Sequence, residues 1–307
     1  MEKPTKVIII AGATATGKTE LSLELAQRFS GEIINADSRQ VYRLMDIGTA
    51  KPSREQRSVI PHHLIDVVYP DQEFNAQLYR ERVVRAVEEI KKKQKNVFMV
   101  GGTGFYIRAY LEGLAAGARP DPEIRHRLAK EWEEKGMDFM YRKLMDIDPS
   151  LKSKIHPNDR YRIIRALEIY EVTGIVPSRL KEIKNKPEVE VLYICLKLDR
   201  KVIYDNIIKR VHRMIRDGFI EEVHSLLAKG YNESLRPLQS HGYKEMIDYL
   251  KGRITLEQAI AGTILRTKQY AKRQLTWFRG VKNAKWISPD EKNQIIELCH
   301  SFIEGML

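Results

Sequence analysis

The stretch Lys6-Val7-Ile8-Ile9-Ile10-Ala11-Gly12-Ala13-Thr14-Ala15-Thr16-Gly17-Lys18-Thr19 decides the fold of this 307-residue chain. Its first six residues form an apolar, β-branched run that stops at Gly12, the pattern of a strand buried on both faces of a parallel sheet. After Lys18, Leu21, Leu25 and Phe29 recur on one helical stripe. Between strand and helix, residues 12–19 match G-x-x-x-x-G-K-[ST] in the context that gives the pattern meaning. Glycines let successive N–H groups converge on phosphate oxygens. The helix N-terminus adds partial positive charge, Lys18 adds a full one, and the Thr19 hydroxyl is a ligand for Mg²⁺. The expectation is that Gly12, Ala13, Thr14, Ala15, Thr16, Gly17, Lys18 and Thr19 cradle a diphosphate or polyphosphate.

Working outward, residues 32–36 read as a second strand ending at Asp37-Ser38. Residues 78–93 read as a helix with Val83, Val84, Val87 and Ile90 inward and a Lys91-Lys92-Lys93 end suited to the helix dipole. Residues 97–100 read as a third strand closed by Gly101-Gly102. Alternating strands and helices predict an α/β fold, a P-loop-type parallel sheet flanked by helices. Residues 114–122 are rich in Ala, Gly and Pro, as a linker is. From there to about 185 only helices are expected: one over 122–135, and one capped by Asn158 or Asp159 that stops at Thr173-Gly174. A strand over 188–198 returns to the sheet, and helices fill 200–279. The expected organisation is a catalytic core of residues 1–115 and 188–307 interrupted by a helical insertion domain, 116–187.

The net charge is +12, and residues 200–280 hold 16 Lys/Arg against 8 Asp/Glu, two-thirds of the excess. Such a concentration suits a polyanion, though a solvated basic surface has the same composition. No apolar run approaches the ~18 residues of a membrane span. Only Cys195 and Cys299 are present, too few for a zinc site or disulfide framework, so a cytoplasmic location is expected. His62-His63 has no further ligands at metal spacing and reads as structural.

Asp37 ends the second strand, where ligands of open α/β sheets gather. A carboxylate there can act as a general base, hold Mg²⁺ through water, or cap a turn. The strand ending at Val100-Gly101 carries no acid, which weakens a nucleotide-hydrolase reading. The nucleotide-binding type of loop still admits a kinase of a nucleoside or small metabolite, a transferase with a diphosphate leaving group, or a non-catalytic RNA-binding protein.

Several stretches together resemble the tRNA dimethylallyltransferase (tRNA isopentenyltransferase) family of bacterial type. They are residues 12–19, Asp37-Ser38-Arg39-Gln40-Val41-Tyr42, Met45-Asp46-Ile47-Gly48-Thr49-Ala50-Lys51-Pro52 and Pro61-His62-His63-Leu64-Ile65-Asp66. Further on come Gly101-Gly102-Thr103-Gly104-Phe105-Tyr106, Ile155-His156-Pro157-Asn158-Asp159, Gly242-Tyr243 and residues 271–279. The family's loop has Pro and Ser where Ala13 and Thr16 stand here; Ala keeps an N–H and Thr keeps the hydroxyl. The resemblance implies transfer of a dimethylallyl group from dimethylallyl diphosphate to N6 of the adenosine 3′ of the anticodon, with Mg²⁺ and no nucleotide hydrolysis. It implies that Asp37 accepts the proton and that Arg210, with Arg213 as second choice, clamps the diphosphate. The tRNA anticodon stem-loop is expected to meet Asp37, Ser38, Arg39, Gln40, Thr103, Arg125, Tyr161, Arg162, Ile163, Ile164, Arg165, Gly242, Tyr243, Lys272 and Arg273. Arg266, Tyr270, Arg273 and Trp277 fall near one helical face, fit either for stacking bases or for core packing. A monomer is expected.

Overall fold

In the computed structural model, residues 4–114, 121–182 and 186–306 are described. The chain divides into two compact units, residues 1–111 with 188–307 and residues 112–187. The linker expected at 114–122 falls mainly on 115–120, outside the described residues.

The first unit opens with β1 (Thr5–Ala11), α1 (Lys18–Arg28), β2 (Gly31–Asn35), α2 (Arg54–Val59), β3 (His62–His63), α3 (Ala76–Lys92), β4 (Asn96–Gly101) and α4 (Gly104–Glu112). The second unit contains α5 (Pro122–Ile147) and α6 (Arg160–Thr173). The first unit resumes with β5 (Val189–Leu196), α7 (Arg200–Arg216), α8 (Phe219–Ala228), α9 (Tyr243–Leu250), α10 (Leu256–Arg279), β6 (Lys285–Ile287) and α11 (Lys292–Glu304). The six strands run parallel in the order β3-β2-β4-β1-β5-β6. The edge strands β3 and β6 were not expected; at two and three residues they are too short to leave a periodic signal.

The apolar run of β1 is explained by its place between β4 and β5, where Val7 pairs with both Val97 and Val191. Successive side chains point to opposite faces. Val7, Ile9 and Ala11 join α3, α4, α8 and α9 in one core through Val83, Tyr106, Val223 and Tyr243. Ile8 and Ile10 join α1 and α11 in another through Leu25, Ile295 and Phe302. Each fully buried aliphatic side chain contributes roughly 2 kcal/mol. In α3, Val83, Val87 and Ile90 are buried as expected, but Val84 is 37% exposed. It lies about 100° round the helix from Val83, off the inward stripe.

In the second unit, α5 and α6 bury Leu128, Met140, Leu144, Ile163 and Leu167. The helix expected to stop at residue 135 kinks at Gly136 (φ 79°) and continues to Ile147. For α6, the Asp159 side chain accepts the Arg162 N–H, and Gly174 ends the helix in the left-handed conformation (φ 66°).

Candidate active site

The phosphate loop lies between β1 and α1, at the carboxyl ends of the central strands. Gly12 (φ 143°), Ala15 (φ 64°) and Gly17 (φ 85°) have positive φ, which curls the backbone inward. A side chain at Gly12 would come within 3.2–3.3 Å of Leu196 backbone and Thr16. The Thr16 hydroxyl donates to the Ala13 carbonyl at 2.8 Å, so its role is to brace the loop. Lys18 Nζ donates to the carbonyls of Gly12 (3.1 Å) and Ala13 (2.6 Å). Burial, then the neighbouring Arg210, lower its pKa to about 7, against the attraction of Asp37.

Arg210 reaches the loop from α7, and its Nη1 donates to the Thr14 hydroxyl at 3.0 Å. Burial lowers its pKa, and Glu20, Arg213 and Asp37 act on it in turn. Arg213, one turn on, is exposed, whereas Arg210 reaches the loop. The Thr14 N–H is given to Gln274 Oε1 at 2.8 Å.

Asp37 follows β2 at the same end of the sheet. Its Oδ1 accepts the Arg39 N–H at 2.9 Å, and its own N–H is held by Asn35 Oδ1 at 3.1 Å. One carboxylate oxygen therefore anchors the turn, and Oδ2 makes no hydrogen bond among the described residues. Thr103 steadies the flanks: its N–H donates to the Ala36 carbonyl at 3.0 Å, and its hydroxyl oxygen accepts the Ser38 N–H at 3.0 Å. Arg39 turns away to His241, with Nη2 2.6 Å from Nδ1. A guanidinium only donates, so Nδ1 accepts and the proton of this imidazole sits on Nε2. Burial, then Arg39, depress the His241 pKa to about 2, which keeps the ring neutral. The Tyr270 ring lies 5.3 Å from the Arg39 guanidinium and 4.8 Å from His241.

Gln40 contributes its amide nitrogen to the carbonyls of Thr49 and Ala50, each at 3.2 Å. That turn is fixed by Glu222, whose carboxylate accepts the N–H groups of Asp46, Ile47 and Gly48 at 2.7–3.1 Å and the Tyr243 hydroxyl at 2.6 Å. Tyr243 is fully buried and Gly242 beside it is buried. The Tyr243 ring is core and its hydroxyl is used internally.

On α10, Lys272 and Arg273 are exposed. Lys272 lines a cleft of about 610 Å³ with Lys197, Arg200, Arg279, Leu275 and Trp286. Arg273 lies 5.9 Å from the Tyr270 ring. Arg266 is paired with Glu245 at 2.8 Å. Trp277 packs on α4, where a side chain at Gly104 would collide with its indole at 2.0 Å.

In the second unit, Tyr161 is 65% exposed and Arg162 projects beside Asp159 at 3.2 Å. Ile163 and Ile164 are 0% and 8% exposed. They lie on the inward stripe of α6 and pack in the core of this unit. Arg125 and Arg165 both pair with the buried Glu168, at 2.9 and 2.8 Å, which gives each a structural bond first.

Among the described residues no three or more His, Cys, Asp or Glu gather as a metal site. His62 Nδ1–H donates to the Ile60 carbonyl, and His63 pairs with Glu32 at 2.7 Å. The residue expected to join a Mg²⁺ site, Thr19, is half-buried at the start of α1. A hard hydroxyl oxygen completed by diphosphate and water suits Mg²⁺.

Gln274, Glu222 and His241 were not singled out from sequence. Gln274 did carry a signal: it is a polar residue on the stripe of Thr267, Ala271 and Phe278 that α10 buries.

A family model described as IPP transferase matches residues 40–281. A tRNA dimethylallyltransferase of Desulfatibacillum aliphaticivorans is 40% identical over 306 residues, covering 99% of this chain and all of that one. Its counterpart in Geobacter metallireducens is 42% identical, covering 98% of both. Among solved structures, the tRNA isopentenylpyrophosphate transferase of Bacillus halodurans is similar with a TM-score of 0.73 at 38% identity, covering 98% and 97% of the two chains. A eukaryotic dimethylallyltransferase solved acting on tRNA gives a TM-score of 0.84 at 29% identity, covering 98% of this chain and 80% of that one.

Proposed function

The chain belongs to the IPP transferase family, and from that premise we propose that it transfers a dimethylallyl group from dimethylallyl diphosphate to tRNA, at N6 of the adenosine on the 3′ side of the anticodon. The observation that carries this reading is the pairing of a complete phosphate loop after β1 with Asp37 after β2, the two strands that flank β4, coupled closely enough that Asp37 acts on the titration of both Lys18 and Arg210. No acid ends β4, which closes at Gly101.

In the reaction, the allylic C–O bond breaks and its electron pair leaves with the diphosphate. Lys18, Arg210 and the loop amides other than that of Thr14 stabilise the developing charge, the main source of acceleration in such a site. Thr19 would help to hold Mg²⁺, which would supply further neutralisation of the leaving group. The adenine N6 lone pair forms the new C–N bond, and Asp37 Oδ2 takes the N6 proton. Oδ1 stays on the Arg39 amide and keeps the carboxylate from rotating. The base must leave the anticodon-loop stack to reach this position. Ser38 and Thr103 flank Asp37. Lys272 and Arg273 in the first unit, and Tyr161 and Arg162 in the second, are the exposed groups for the RNA. Among the described residues no helix is long and apolar enough to cross a membrane. We place the enzyme in the cytoplasm, as a monomer.

The test is transfer of radiolabelled dimethylallyl onto an anticodon stem-loop with Mg²⁺ and no ATP. Label on the RNA is expected. No transfer, together with ATP consumption on a panel of nucleosides, would refute the proposal in favour of a kinase.

A further inference from the structure

Gln274 sits on the buried stripe of α10, 5% exposed. Burying a primary amide is unfavourable unless its polar atoms find partners. Both ends of this one do. Oε1 accepts the Thr14 N–H at 2.8 Å, and Nε2 donates to the Gly102 carbonyl at 2.9 Å. The amide orientation is unambiguous, because an N–H can only donate and a carbonyl can only accept.

The two partners belong to different halves of the site. Thr14 lies in the phosphate loop and takes the Arg210 guanidinium on its hydroxyl. Gly102 precedes Thr103, which grips the Ala36 carbonyl and the Ser38 N–H, the two backbone groups that flank Asp37. One side chain thus joins the cradle of the leaving group to the turn that carries the proton acceptor. The fit is close: a Cβ on Gly102 would lie 2.1 Å from Gln274 Nε2. Gly102 is therefore glycine because this amide occupies its side-chain space.

We propose that Gln274 is a positioning residue which sets the separation between the diphosphate cradle and Asp37, and so the alignment of the allylic carbon with the attacking amine. This rests on the dimethylallyl-transfer reading. Its role is in the reaction geometry, since each substrate keeps its own contacts without it. A misplacement of about 1 Å costs about 100-fold in rate.

The experiment compares wild type with Gln274→Met, which matches the volume and removes both hydrogen bonds. Expected is a kcat about 100-fold lower with KM for each substrate within about threefold and a melting temperature lower by several degrees, because the Thr14 N–H and Gly102 carbonyl lose their partner, with the protein still folded at the assay temperature. Amide hydrogen exchange without substrate should rise together in residues 12–17 and 101–105. Gly102→Ala should lower kcat similarly, and the double variant should be no worse than Gln274→Met, because both changes break one link. A kcat close to wild type in Gln274→Met, or a loss confined to KM or to the folded fraction, overturns the proposal while leaving the transferase reading intact. Absence of transfer by the wild-type chain overturns that reading and the proposal with it.

Discussion

Raising the pH from 6 to 8 should weaken diphosphate binding through Lys18 alone. In the empty loop, burial and the Arg210 charge bring its pKa to about 7. Its ammonium is then roughly nine-tenths charged at pH 6, half at pH 7 and one-tenth at pH 8. A diphosphate placed against it favours the charged form and raises the pKa. The sign follows: a group whose pKa rises on binding gives its full contribution below the free-loop pKa and loses it as pH climbs above. With the bound pKa well above 8, Kd increases about tenfold between pH 6 and pH 8, or about 1.4 kcal/mol. Titration calorimetry with inorganic pyrophosphate reads this directly. The ligand's own ionisation cancels when wild type is compared with Lys18→Met at each pH. The advantage of lysine over methionine should shrink about tenfold across the range. Buffers of different ionisation enthalpy should report uptake of about half a proton at pH 7 and about 0.9 at pH 8. An advantage constant with pH would show that Lys18 is fully charged in the empty loop, and the reasoning would fail.

Asp37→Ala should lower turnover by about 10²–10⁴-fold with little change in stem-loop affinity measured by filter binding; equal losses in both would argue against a base. Arg162→Ala should weaken RNA binding and reduce the salt slope of log K by about 1, whereas Ile163→Ala should leave that slope alone and destabilise the folded chain by about 2–5 kcal/mol in urea unfolding. Glu222→Ala removes the acceptor of three amides and the Tyr243 hydroxyl, so the turn to which the Gln40 side chain donates loosens. We expect a raised KM for tRNA and an unchanged KM for dimethylallyl diphosphate, and a rise in both would refute the assignment.

The central strands and the phosphate loop were legible because their pattern is local. Ile8-Ile9-Ile10 next to Gly12 and Lys18 says strand, cradle and helix within a dozen residues, and the caps of α6 at Asp159 and Gly174 are equally local. The family resemblance marked Asp37 and Arg210 for the same site, and the geometry brings Arg210 to the loop and Asp37 to the same end of the sheet. What the residues could not reveal was which members of a motif face inward. Tyr161 and Arg162 are adjacent to Ile163 and Ile164, yet a step of about 100° per residue puts the first pair in solvent and the second in the core. Gln274 and Glu222 act through partners 172 to 260 positions away in the chain, and no window of sequence holds both ends of such a bond. The kink at Gly136 was missed for another reason, since glycine both ends helices and bends them.

The pairing of Thr5 with Val189 has a bearing on how the chain is made. The central strand leaves the ribosome early, and its neighbour β5 follows roughly 180 residues later, after the whole second unit. At about 5–20 residues per second that interval is about 10–40 s. During it, one edge of Val7-Ile8-Ile9-Ile10 has no strand beside it, and the run is apolar, uncharged and free of proline, as aggregation-prone segments are. The unit over 112–187 has its helices adjacent in sequence and is free to form while β1 waits. The nascent chain therefore carries a finished helical module and an unfinished sheet at the same time, and it is in that window that a holdase chaperone would have an apolar edge to hold.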